Sequence, residues 1–138
     1  MKKEARITIV GTRVESGSET EKIEFETEGK YYQKDTTHYI VYEESELTGY
    51  KGTTTTLKVA GDEVTLTRFG TNNTQMIFKK GRQYRGYYET MYGSFAMCIT
   101  PTTVEIRIEP DGGEINVEYL LDFAKSSSKN TFNIKFSI

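Results

Sequence analysis

Val104-Glu105-Ile106-Arg107-Ile108 alternates an aliphatic β-branched side chain with a charged one. Period two places all three aliphatic residues on one face of an extended chain and both charges on the other. The same reading recurs at Ile7-Thr8-Ile9, Ile23-Glu24-Phe25 and Phe132-Asn133-Ile134-Lys135-Phe136. Across 138 residues there are 20 Thr, 11 Ile and 7 Val against 4 Ala and 5 Leu. β-Branched side chains lose little rotamer freedom on a pleated surface, so this bias predicts half-buried antiparallel strands throughout.

Turn chemistry divides the chain into ten or eleven strands. Breaks are predicted at Glu15-Ser16-Gly17-Ser18, Lys34-Asp35, Thr48-Gly49, Gly61-Asp62 and Gly70-Thr71-Asn72-Asn73. Further breaks are predicted at Lys80-Gly81, Tyr92-Gly93, Thr100-Pro101, Pro110-Asp111-Gly112-Gly113 and Ser126-Ser127-Ser128. Gly accepts positive φ, Asn and Asp bond their own backbone, and Pro fixes φ. Both prolines are assigned to strand ends on this division. Links this short join antiparallel neighbours, because a parallel crossover needs a dozen residues or more. Leu120 to Lys125 is the best helix candidate, but it continues the alternation of Ile115, Val117, Tyr119, Leu121 and Phe123 and is read as strand. A meander of about ten strands must split into two sheets or close on itself. An all-β, antiparallel up-and-down barrel over residues 1–138, one domain, is the reading; a two-sheet sandwich is second.

Composition excludes several functions. A net charge of −2 and a pI near 5.6 lack the basic excess of a dedicated nucleic-acid binder. Cys98 is the single cysteine, so no internal disulfide forms. It lies between Met97 and Ile99 with no basic neighbour, as an inert strand residue does. Met1-Lys2-Lys3-Glu4 leads into a strand, not the apolar run of a signal peptide, and no stretch is long and apolar enough for a membrane helix. A soluble cytoplasmic protein is expected. His38 is the single histidine, which excludes a histidine metal cluster, and it is read as an exposed bystander. No catalytic, metal or cofactor motif stands out. A hydrolase or isomerase working through Glu44 or His38 is the remotest option.

Parity points to one candidate site. Val64 and Leu66 share a face with Arg68, and Ile40, Tyr42 and Glu44 share another. Arg82, Tyr84, Gly86, Tyr88 and Thr90 share a third. A cation ending an inward apolar row must be paired or solvated. The plainer reading of Arg68 with Glu44 is a structural ion pair closing one barrel end. The sharper one is a charged anchor for a carboxylate or phosphate. Ten tyrosines and no tryptophan suit packing on strands, or an amphipathic ligand wall. Lys79, Lys80, Arg82 and Arg85 interleave with Phe78, Tyr84 and Tyr87, and are read as a solvated hairpin rather than a base-stacking platform.

Tyr39–Leu47 (YIVYEESEL), Thr54–Val59 (TTTLKV), Val64–Gly70 (VTLTRFG) and Tyr88–Thr100 (YETMYGSFAMCIT), followed by the Ile115–Leu121 strand, resemble one family. It is the YwiB-like domain of unknown function, small proteins of Firmicutes. The resemblance implies a calycin-like barrel similar to lipocalins and fatty-acid-binding proteins, and no assigned activity. Its most particular positions here are Tyr42, Glu44, Arg68, Gly70, Thr90, Tyr92 and Gly93. The link from Val14 to Ile23 is too short for a helical lid, and no C-terminal helix is visible, so lipid transport does not follow from the fold. The expectation is a barrel binding a small amphipathic or anionic ligand through Arg68, with Tyr42, Glu44, Thr90, Tyr92 and Tyr88 around it. The alternative is a filled barrel acting as a non-enzymatic interaction module or homodimer.

Overall fold

The computed structural model describes residues 2–15, 19–44, 51–70, 73–123 and 126–138, with Thr90 described by its backbone alone. These residues form ten strands and no helix. The first five are β1 (Lys3–Glu15), β2 (Glu21–Lys34), β3 (Thr37–Glu43), β4 (Thr53–Ala60) and β5 (Glu63–Gly70). The remaining five are β6 (Asn73–Phe78), β7 (Tyr84–Thr90), β8 (Gly93–Glu109), β9 (Gly112–Phe123) and β10 (Ser126–Ser137). Every strand pairs antiparallel with its neighbour in sequence, and β1 pairs with β10, so the sheet closes. Closure leaves no unpaired edge, which resolves the choice between barrel and sandwich.

Two described hairpins follow their turn residues. Asp35 (φ 55°) and Gly61 (φ 62°) take the left-handed conformation at the β2–β3 and β4–β5 turns, as Asp and Gly tolerate. The predicted breaks at Ser16-Gly17-Ser18, Thr48-Gly49 and Thr71-Asn72 lie outside the described residues.

The predicted break at Thr100-Pro101 does not exist. β8 runs through it, with a bulge between Pro101 and Thr103. Thr102 drops out of the register, and its hydroxyl donates to the Glu118 carbonyl at 3.2 Å. Pro101 therefore sits inside a strand rather than at its end, at a bulge where the missing N–H is tolerated. The inserted residue also shifts the phase: Met97 and Ile99 point inward before it, and Val104, Ile106 and Ile108 pack on the core after it.

The inner face is apolar at one end of the barrel. Ile7, Ile40, Leu57, Val64, Phe78, Ile115 and Val117 have no exposed surface, and each such side chain contributes roughly 1.5–3 kcal/mol by leaving water. The Phe78 ring packs on Tyr119 and Phe132 at centroid distances of 4.9 and 5.3 Å. The outer face is charged, as the parity of Glu24, Glu26 and Glu28 requires; all three are exposed. Glu114 on the outer wall takes a hydrogen bond from Asn133 (2.7 Å) and ion pairs from Arg107 (3.2 Å) and Lys135 (4.0 Å). That is the reverse of the apolar outer band of a membrane-spanning barrel.

Candidate functional site

Odd-numbered strands run toward one end of the barrel, and that end holds Arg13, Glu21, Glu44, Arg68, Tyr88 and Phe123. A cavity of about 510 Å³ opens there. Its wall is mainly apolar, with Ile9, Leu66, Met76, Met97, Leu121 and Phe132. The polar contribution comes from Tyr42, Glu44, Arg68, Tyr88, Tyr119 and Asn130 with the Thr12 and Thr131 hydroxyls, and from Arg13 and Glu21 at the mouth.

Register explains why the polar groups meet. Tyr42 pairs with Thr55, Thr55 with Arg68, Arg68 with Thr74, and Thr74 with Tyr88. One row around the barrel thus carries five side chains with hydroxyl or guanidinium groups, all on the inward parity. One step higher, the Glu44 amide extends the β3–β4 ladder to the Thr53 carbonyl at 2.9 Å. The Glu44 side chain is 2% exposed. Its Oε2 accepts a hydrogen bond from Thr55 Oγ1 at 2.7 Å and faces Arg68 Nε at 3.5 Å. A carboxylate so desolvated is stable only with such partners. The Thr74 hydroxyl, in the same row, is buried with no hydrogen-bond partner among the described residues.

Tyr42 is 4% exposed. Burial pushes its phenol well above the ordinary range, and the Glu44 charge adds to the effect. Arg68 and a hydrogen bond with Thr55 act in the opposite direction and do not cancel it. Tyr42 is therefore a neutral phenol at any physiological pH.

Of the residues singled out from sequence, Tyr42, Glu44, Arg68 and Tyr88 converge on the cavity. The Glu44–Arg68 ion pair inferred from parity is present. Tyr92 does not join them. It lies in the β7–β8 turn, 84% exposed, because alternation ends where the chain reverses and no longer assigns a face. Thr90 closes β7 opposite Gly93. His38 is not an exposed bystander: it is half-buried at the closed end, where its Nδ1 bonds the Tyr31 hydroxyl at 2.7 Å. His38 and Glu44 lie six residues apart along one strand direction, roughly 20 Å at ~3.3 Å per residue, too far to share one acid–base step. In the basic hairpin, Phe78 is fully buried, and only Tyr87 of its three aromatics is exposed. No stacking platform forms there.

Thr55, Asn130 and Arg13 were not anticipated. Each continues an inward apolar row: Val59-Leu57-Thr55, Phe136-Ile134-Phe132-Asn130, and Ile7-Ile9-Gly11-Arg13. The parity rule that found Arg68 would have found all three.

Comparison with known proteins accords with this architecture. Residues 7–134 match the family described as a domain of unknown function, DUF1934. The chain belongs to that family. It is 30% identical over 121 residues to the uncharacterized β-barrel protein YwiB of Bacillus subtilis (strain 168), covering 86% of this chain and 83% of YwiB. The crystal structure of the ywiB protein from Bacillus subtilis matches with a TM-score of 0.86 over 99% of this chain and 92% of that one. Identity in that match is 21%, so it speaks for the fold alone. The YwiB-like resemblance drawn from the Tyr39–Leu47, Thr54–Val59, Val64–Gly70 and Tyr88–Thr100 segments is thus to the right family. Neither relative's description names an activity.

Proposed function

We propose that this DUF1934 barrel binds one small amphipathic molecule in its open-ended cavity. The apolar part lies against Leu66, Met76, Met97 and Phe132, and the polar part against Tyr42, Tyr88 and Arg68. The observation that carries the reading is the cavity itself: about 510 Å³, within the ~300–1,000 Å³ typical of ligand pockets, apolar except for one convergent polar cluster. A barrel filled by its own side chains would leave no such space.

Native mass spectrometry of protein purified from its own host, with Nile red titration of the emptied protein, tests the proposal. A retained small molecule and one probe site, lost when Met97→Trp fills the cavity, are expected. Absence of any bound molecule together with no saturable probe binding overturns it.

A second reading, an interaction module, is favoured by the exposure of Phe69 (76%), Tyr87 (67%), Met91 (88%) and Tyr92 (84%). Large apolar side chains gathered near one end of a fold are characteristic of contact surfaces. Sedimentation at micromolar concentration separates the two: a strict monomer speaks against self-association through this region.

A further inference from the structure

We infer that the cavity selects a molecule whose polar end carries no net charge. This deepens the ligand-binding reading and rests on it.

The argument is one of matched charge in a confined space. Among the described lining residues the ionisable cations and carboxylates are Arg13 and Arg68, Glu21 and Glu44. Each cation already has an acid beside it. Arg68, 14% exposed, faces the buried Glu44 carboxylate at 3.5 Å, and that same oxygen is held by Thr55 at 2.7 Å. At the mouth, Arg13 is ion-paired with Glu15 and sits opposite Glu21 in the β1–β2 register.

An anionic group brought to the Arg68 guanidinium would therefore come within a few ångströms of the Glu44 carboxylate. Glu44 cannot swing away to relieve the repulsion, because it is enclosed and tied to Thr55. Desolvating that anion would go largely uncompensated, since the Arg68–Glu44 pair by itself sums to zero charge. A cationic group meets the mirror problem at Arg68. The remaining polar side chains of the described lining, the phenols of Tyr42, Tyr88 and Tyr119, the hydroxyls of Thr12 and Thr131 and the Asn130 amide, are uncharged. Burial keeps the Tyr42 hydroxyl protonated. Such groups bond alcohols, esters or amides without separating charge. Parity places the guanidinium in the cavity lining; the acid just past the end of β3, across β4 from it, changes what it selects.

The test is competition between decanol and decanoate, which share one chain length, for displacement of Nile red at neutral pH. In the unmodified protein decanol is expected to bind at least about tenfold more tightly, roughly 1.4 kcal/mol. In Glu44→Gln the amide keeps the Thr55 bond while the negative charge is gone, and the preference should move at least about tenfold toward decanoate. Equal or tighter binding of decanoate by the unmodified protein overturns the inference and leaves the ligand-binding reading standing. Displacement by neither compound overturns it too, while the probe's own binding still reports a working cavity. Absence of probe binding is the separate failure of the ligand-binding reading. The comparison in the unmodified protein does not depend on how well the variant folds.

Discussion

Glu44 Oε2 stands 3.5 Å from Arg68 Nε inside the barrel wall, with the two side chains 2% and 14% exposed. Removing one partner of a buried ion pair typically costs ~3–5 kcal/mol. Glu44→Gln should lower stability by about 3 kcal/mol, since the guanidinium borders a cavity that water can enter. The double variant Glu44→Gln, Arg68→Met should recover most of that loss. Urea unfolding of both single variants and the double variant checks it: additive losses would show that the two groups do not interact.

Tyr42 links the same cluster to alkaline pH. Its pKa is raised above the ordinary 10.0, first by burial and then by Glu44. Between the unfolded and folded values the unfolded chain has released the proton and the native state still holds it. Stability is thus intact below pH ~10 and falls as pH rises further. Phenolate absorbance should show Tyr42 ionising only with unfolding. Tyr42→Phe should flatten the alkaline loss of stability. An unchanged alkaline slope in that variant would place the effect in other tyrosines.

Thr74 carries a buried hydroxyl without a partner among the described residues. An unsatisfied buried polar group costs ~1–3 kcal/mol, and a methyl of the same shape removes the cost. Thr74→Val is expected to stabilise the barrel by about 1 kcal/mol. A loss of stability measured by thermal unfolding would mean that the hydroxyl is bonded in solution.

Gly29 faces Tyr42 across the β2–β3 ladder. A Cβ built there would lie 2.3 Å from the Val41 carbonyl oxygen and 2.6 Å from the Ile7 side chain. The backbone atom cannot yield without bending the strand. Gly29→Ala should destabilise by about 1–3 kcal/mol and weaken probe binding by shifting the Tyr42 ring. Native-like stability of the variant would show that the two strands separate more easily than the packing implies.

Much of this was legible before any coordinates. Val64-Leu66-Arg68 and Ile40-Tyr42-Glu44 revealed their inward faces because strand side chains alternate without exception until something disturbs the ladder. Where the ladder is disturbed, the same rule misleads. The predicted break at Thr100-Pro101 is a bulge within β8. Tyr92 lies in a turn, where alternation no longer assigns a face.

Local sequence determined strand identity, hairpin connectivity and the sign of each face, because those depend on neighbours two to four residues apart. Parity already paired Glu44 with Arg68; only the closed structure decided that Thr55 locks the carboxylate in place and that the inner faces leave a cavity instead of filling it. Those outcomes depend on register around ten strands and on the summed volume of side chains from all of them, and no window along the chain contains either quantity.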